Sequence, residues 1–276
     1  MNLEFLIKRI YNILRKNNIV QAQISYLIPS EQLKGKKIII TGGGRGLGYA
    51  IAKKLVENGA SVLIAGRNEE ILKKSASTLG CMYLQLDLQN ICTFSKFIQK
   101  TDEMLGGVNC LINNAGISLH EEFYTDVNEK QFDEQINTNF KGPFFLTQEF
   151  IRHLLNKEDH SGKIIFISSE TGDTVDERPY GLTKAAINSL VQGLAYRYIK
   201  ENISVNAISP GVTASDMTGR KDDGDLSFKG NMRGRIYLSA EIAEIACFLL
   251  SDVSNLLNGQ ILTCNEGKTI NARIRY

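Results

Sequence analysis

Thr41-Gly42-Gly43-Gly44-Arg45-Gly46-Leu47-Gly48 stands between an apolar, β-branched run, Lys37 to Thr41, and an amphipathic stretch, Tyr49 to Asn58. Strand, glycine-rich turn and helix in that order bring the backbone amides of a helix N-terminus to the end of a strand, and the glycines let a bulky anion approach them. The general fingerprint Gly-x-Gly-x-x-Gly is met in no frame, because a start at Gly42 and Gly44 would need glycine or alanine at Leu47. The spacing present is Thr-Gly-x-x-x-Gly-x-Gly. A pyrophosphate is the group this turn suits.

The same grammar continues outward. Ser61 to Ala65, Cys81 to Leu86, Cys110 to Asn113, Lys163 to Ser168, Ser204 to Ile208 and Gln260 to Cys264 read as further strands, with helical patterns between them. Strands alternating with helices demand parallel pairing, and the right-handed crossover then gives a doubly wound α/β Rossmann fold, about seven parallel strands with helices on both faces. Residues 35–276 read as one such domain. Residues 1–34 read as an extension in which Leu3, Leu6, Ile7, Ile10 and Leu14 recur at helical spacing. Such an amphipathic helix packs on its own domain or on a second subunit, with attachment to a membrane surface as the alternative.

Bulk properties narrow the function. The 276 residues carry 32 basic and 30 acidic side chains spread along the chain, so no basic field for nucleic acid is present. Five cysteines, Cys81, Cys92, Cys110, Cys247 and Cys264, are odd in number and never spaced as Cys-x-x-Cys, so they are expected to be reduced, buried and apolar in role. The three histidines, His120, His153 and His160, have no ligand spacing, and no metal is expected. No apolar run has the length of a membrane span, and Lys8 and Arg9 interrupt the N-terminal one, so a cytoplasmic location is expected.

Tyr180 and Lys184, in Tyr-Gly-Leu-Thr-Lys, are four residues apart, so on a helix both side chains leave the same face. A phenol with a pKa of about 10 is a weak acid-base catalyst at neutral pH, and an adjacent ammonium is expected to lower that value. Further marks along the chain are Asp87 after the third strand, Asn113-Asn114-Ala115-Gly116 after the fourth, Asn139, Ser169, and Pro210-Gly211 after the sixth.

With these motifs in this order, from about Gly35 to Gly267, the chain resembles the short-chain dehydrogenase/reductase family, in general character its 3-oxoacyl-carrier-protein reductase-like members. The resemblance implies a nicotinamide cofactor on Thr41, Gly42, Gly44, Arg45, Gly46, Leu47 and Gly48, with Asp87 at the adenine, Asn114 beside the ribose and Ser215 near the nicotinamide amide, and with Ala115, Gly116, Pro210, Gly211 and Thr213 also binding it. It implies a catalytic set of Asn139, Ser169, Tyr180 and Lys184, with Lys184 also holding ribose hydroxyls and Asn139 positioning a water that leads to the lysine. Ser168 is the register alternative to Ser169. The second strand ends Ala65-Gly66-Arg67 without the acid that would repel a 2′-phosphate, and Arg45 lies in the turn, so NADPH is favoured over NADH.

Two departures bear on the substrate. Tyr180 follows Ser169 by eleven positions, about two fewer than in the family, and the loop carries Glu170, Asp173, Asp176, Glu177 and Arg178, which points to a hydroxyl-rich or charged substrate. Beyond Pro210-Gly211, Arg220, Lys221, Lys229, Arg233 and Arg235, offset by Asp222, Asp223 and Asp225, either meet a phosphopantetheine carrier or are solvated. Thr263-Cys264-Asn265-Glu266-Gly267 replaces the family's usual aspartate and paired glycines at a strand end that commonly packs subunits, within an expected homodimer or homotetramer. The leading expectation is a reductase of ketones or aldehydes; the alternatives are a sugar or polyol dehydrogenase, and a non-catalytic NADPH-binding sensor or scaffold.

Overall fold

A computed structural model describes residues 31–220 and 225–270. The predicted helix at Leu3 to Lys16 lies outside them, as do Lys221, Asp222 and Asp223.

Seven parallel strands form one sheet: β1 (Lys37–Thr41), β2 (Ser61–Gly66), β3 (Met82–Gln85), β4 (Cys110–Asn113), β5 (Gly162–Ile167), β6 (Ile203–Pro210) and β7 (Ile261–Cys264), in the spatial order β3-β2-β1-β4-β5-β6-β7. Helices α1 (Gly46–Glu57), α2 (Glu69–Leu79) and α7 (Ser239–Leu250) cover one face. Helices α3 (Phe94–Leu105), α5 (Gly142–Leu155) and α6 (Pro179–Tyr198) cover the other. The short helix α4 (Glu129–Ile136) runs through a π-helical turn, Asn137–Lys141, into α5.

Both faces of the strands are buried, which is why they read as continuous apolar runs rather than alternating ones. In β1, Ile38 and Ile40 pack with Ile51 and Leu55 of α1, while Ile39 packs with Phe94, Phe150 and Val191 on the opposite side. The sheet order reverses between β1 and β4, and the crevice beyond their carboxyl ends is where such folds hold ligands.

The elements differ from the sequence reading mainly at their ends. Helix α1 begins at Gly46, three residues before the predicted Tyr49, because glycines of poor helix propensity form its first turn and leave its amides accessible. Strand β6 runs on to Pro210, since Ser209 and Pro210 pair with Thr263 and Cys264 of β7. Strand β3 is shorter than predicted, because it is an edge strand and the Cys81 amide is spent on the Ala76 carbonyl at the end of α2.

Lys163 interrupts the apolar pattern of β5 for a reason. Its ammonium, buried among apolar neighbours, donates to the carbonyls of Ser251 (2.6 Å) and Leu249 (3.4 Å) and to the Ser254 hydroxyl (3.0 Å). It thus joins Ser254 in closing the C-terminal end of α7, and burial pushes its pKa down to about 8.

Candidate active site

The glycine-rich turn is built around Thr41. Its buried hydroxyl accepts the backbone amides of Asn114 and Ala115, each at 3.1 Å, and so ties the end of β1 to the end of β4. Asn114 returns the tie: its Nδ2 donates to the carbonyls of Thr41 (2.9 Å) and Gly42 (3.2 Å). Gly42 adopts φ +67°, where a side chain is strained. A Cβ at Gly48 would stand 2.3 Å from the Gly42 carbonyl and 2.4 Å from Asn114 Nδ2, so this glycine exists to let α1 approach the turn.

One cleft of about 860 Å³ follows the carboxyl ends of the central strands. Thr41, Gly42, Gly44, Arg45, Gly46, Leu47 and Gly48 line one part of it, together with Arg67, Asp87, Asn114, Ala115 and Gly116. Ser169, Tyr180, Lys184, Pro210, Gly211, Thr213 and Ser215 line the other. The structure therefore brings every cofactor residue expected from the sequence to one cavity, with Arg45 and Arg67 both at its solvent-exposed edge. Asn139 alone among the expected residues stands behind the wall, 2% exposed.

At the inner end, the phenol of Tyr180 lies beside the Ser169 side chain, close enough for the hydroxyl to favour its ionised form. Ser169 Oγ accepts from the Thr171 hydroxyl (3.0 Å) and amide (3.3 Å), which fixes it at the start of the turn after β5. Ser168 faces the other way: its hydroxyl donates to Asn188 Oδ1 at 2.6 Å and, at 3.4 Å, to the Lys184 carbonyl. Only Ser169 of the two meets Tyr180.

Lys184 is 5% exposed, its ammonium donates to the Ile167 carbonyl at 2.8 Å, and it lies 5.5 Å from the centre of the Tyr180 ring. Burial pushes Lys184 down to about 8, which still leaves it mainly cationic at neutral pH. The Tyr180 pKa runs against the sequence expectation: burial raises it, and the Ser169 side chain only partly opposes this. Taking the phenolate out of water outweighs the stabilisation the Ser169 hydroxyl gives it.

Asn139 sits in the π-helical turn, where the widened spacing turns it inward. Its Nδ2 donates to the Ile117 carbonyl and its Oδ1 accepts the Ile117 amide, both at 2.8 Å, with a longer contact from Nδ2 to Thr183 Oγ1 at 3.4 Å. It clamps the wall segment that follows Gly116.

The acidic loop before Tyr180 is also corrected. Asp173 Oδ2 accepts the hydroxyls of Ser209 (2.7 Å) and Thr263 (2.8 Å), and Oδ1 accepts Asn188 Nδ2 (2.9 Å). Glu170 accepts Lys268 Nζ (2.7 Å) and Asn265 Nδ2 (3.2 Å), and Asp176 holds Arg178. These acids fasten a short loop to β6, β7 and α6, and of the three only Glu170 lines the cleft. The altered strand end at Asn265 is likewise spent inside the chain. Beyond Pro210, Arg233 pairs with Glu266 (3.1 Å) and Arg235 with Glu241 (2.7 Å), so two members of the expected basic patch are neutralised internally. Of the cysteines, Cys92 is exposed, against expectation.

Sequence reasoning missed the opposite wall. Ser118, Leu119, His120, Glu121 and Glu134 line the cleft, and His120, at φ +57°, reaches across it with Nε2 3.0 Å from the Met217 carbonyl. The polar run Ser118 to Glu122 directly after Asn-Asn-Ala-Gly was the available signal.

Residues 36–225 match the short chain dehydrogenase family. The oxidoreductase UcpA of Salmonella typhimurium is 31% identical over 257 residues, covering 87% of this chain and 96% of the relative. The 3-oxoacyl-[acyl-carrier-protein] reductase FabG of Aquifex aeolicus is 29% identical (86% and 98% covered), and the gluconate 5-dehydrogenase of Gluconobacter oxydans 31% (86% and 96%). Among solved structures, a Burkholderia cenocepacia short chain dehydrogenase in complex with NADP superposes with TM-score 0.77 at 27% identity, over 86% of this chain and 99% of the other. The 3-ketoacyl-(acyl-carrier-protein) reductase of Brucella melitensis, complexed with NADH, gives 0.79 at 24% identity over the same shares and speaks to the fold alone.

Proposed function

Because this chain belongs to the short chain dehydrogenase family, oxidoreductases of CH–OH and C=O groups that bind a nicotinamide cofactor, we propose that it is an NADPH-dependent reductase of a ketone or aldehyde. The observation that carries this reading is that Ser169, Tyr180 and Lys184 line one part of a cleft whose other part holds the glycine turn, Arg45 and Arg67. The donor set fits the cofactor: first-turn amides of α1 for a pyrophosphate, Asp87, Asn114, Ala115 and Gly116 for the adenosine side, Pro210, Gly211, Thr213 and Ser215 for the nicotinamide side. The two guanidinium groups, with no acid at the end of β2, suit a 2′-phosphate.

The cofactor supplies the hydride. Ser169 donates a hydrogen bond to the carbonyl oxygen of the substrate, and Tyr180 delivers its phenolic proton to that oxygen as negative charge develops there. A raised phenol pKa suits this direction, since the proton must be on Tyr180 before the reaction. Lys184, cationic and buried, offsets the charge left on the phenolate and offers its ammonium to ribose hydroxyls. Asn139 holds the Ile117 wall in register with these groups.

Residues 35–276 acting as one domain in the cytoplasm, as a homodimer or homotetramer, complete the reading; near-balanced charge and five unpaired cysteines support it. The test is NADPH oxidation by the full chain offered a short 3-oxoacyl thioester and a set of keto-sugars, with NADH as the cofactor control. Turnover that falls at least about 100-fold in Tyr180→Phe, with NADPH affinity kept, is expected. Equal turnover by the variant would discard the catalytic assignment, and tight NADPH binding without turnover of any carbonyl would favour a sensor.

A further inference from the structure

Arg178 is a charged side chain in the cleft wall that the chemistry above does not use. It is the N-cap residue of α6, followed by Pro179 and then Tyr180, so its position relative to the phenol is set by one short, rigid step. A guanidinium has two edges able to make paired hydrogen bonds. Asp176 occupies one: Nε meets Oδ1 at 2.8 Å and Nη2 meets Oδ2 at 3.0 Å, while Oδ1 also accepts the Arg178 amide at 3.1 Å. The Asp176 side chain is only 6% exposed and fills the space over Gly181, where a Cβ would lie 2.4 Å from it. The arginine is therefore pre-oriented from behind. Its other terminal nitrogen, Nη1, is engaged by no described residue, and the side chain is 41% exposed.

The facing groups are acidic. Glu121 and Glu134 line the same cleft, and Glu121 is near enough to reinforce the charge on Arg178 without forming an ion pair with it. Glu121 Oε1 accepts the Gln135 side-chain amide, which fixes the carboxylate within a buried pair. A donor edge and an acceptor carboxylate thus stand apart across one cavity. A hydroxyl group both accepts and donates, so it serves both at once. An acyl chain would desolvate both and satisfy neither, and a carboxylate or phosphate would meet Arg178 but face Glu121 and Glu134.

From this arrangement we infer that Arg178, held by Asp176 and opposed by Glu121, is a specificity-determining residue that selects a neutral, polyhydroxylated carbonyl compound. This rests on the reductase reading for the position of the carbonyl, and deepens it.

Three four-carbon probes separate the classes: L-erythrulose (neutral, hydroxylated), 2-butanone (apolar) and acetoacetate (anionic). Binding to the complex of the full chain with NADP is followed by ligand-observed NMR titration, which needs no turnover. The wild type is expected to bind L-erythrulose at least tenfold more tightly than either other probe. Arg178→Met should reduce that affinity at least tenfold while leaving 2-butanone within about twofold, with NADP affinity unchanged as the check on folding. Should Arg178→Met not fold, Arg178→Lys, which keeps the charge and loses the fork, is read by the same criterion. Preference for 2-butanone or acetoacetate, no binding of L-erythrulose, or undiminished binding by the variants would overturn the inference. L-erythrulose bound through Arg178 but never reduced by NADPH would instead retain the inference and overturn the reductase reading.

Discussion

Replacing Asn139 with alanine separates a clamp from a mere proton-relay member. The side chain is 2% exposed and makes both of its 2.8 Å bonds to one residue, donating to the Ile117 carbonyl and accepting the Ile117 amide. Truncation leaves that amide and carbonyl unpaired in the half-buried cleft wall. A buried polar group left unsatisfied costs about 1–3 kcal/mol, and the cleft admits water to part of this wall, so the pair together should cost about 2–4 kcal/mol. At about 2 °C per kcal/mol for a chain of this size, the melting temperature should fall by about 4–8 °C. Asn139→Asp should do no better, because it keeps the acceptor for the Ile117 amide but sets a carboxylate oxygen against the Ile117 carbonyl. Scanning calorimetry of both variants, with circular dichroism to verify folding at 20 °C, reads the effect without any substrate. A melting temperature within 1 °C of wild type for Asn139→Ala refutes the clamp and leaves the residue with only a chemical role.

Three further outcomes follow from the geometry. Lys163 and Lys184 have folded pKa values of about 8 against 10.5 unfolded, so between those values the unfolded chain binds more protons and stability rises with pH; each lysine should add about 1 kcal/mol between pH 8 and 9. Cys81 and Cys110, pushed up to about 11 from 9.0, act in the opposite sense and take back part of the gain, so urea unfolding of Lys163→Met at the two pH values should show a smaller rise than wild type, and an unchanged rise would discard the buried-cation account. Gly48→Ala must displace the Gly42 carbonyl and Asn114, and should weaken NADPH binding at least about tenfold in a fluorescence titration; retained affinity would mean that the turn tolerates the shift. Arg67→Ala should raise KM for NADPH about tenfold and leave that for NADH alone, whereas equal effects on both would remove Arg67 from the 2′-phosphate site.

The fold was legible because its information is local and redundant. Lys37–Thr41 buries three consecutive isoleucines before Thr41, the glycines mark the turn that lets α1 approach β1, and the same strand-helix alternation recurs to Cys264. Tyr180 and Lys184 were legible for a similar reason, being one helical turn apart. What escaped the sequence depends on contacts distant along the chain. The balance at Tyr180 could not be read from spacing, because it is set by desolvation from the surrounding walls, which the Ser169 side chain only partly opposes. Nor could the wall at His120 and Glu121, in the loop after β4 that meets the loop after β6 at Met217, or at Glu134 in α4.

The acidic loop shows why charged residues alone do not name a substrate until their partners are known. Shortening the passage from Ser169 to Tyr180 leaves fewer residues to pack against the sheet, so the loop needs polar fastenings in place of apolar ones. Asp173 supplies one that joins the ends of β6 and β7 to Asn188, and Asn188 in turn receives Ser168 and donates to the Gly172 carbonyl. Gly172 is needed there because a Cβ would stand 2.8 Å from the backbone of Lys184. Glu170 adds a second fastening, to Lys268 and Asn265. The loop thereby fixes the serine, the tyrosine and the lysine against one another through Asp173, Glu170 and Asp176, and the selection of a substrate passes to the one loop cation whose outer edge is still unspent, Arg178, and to the acids that face it.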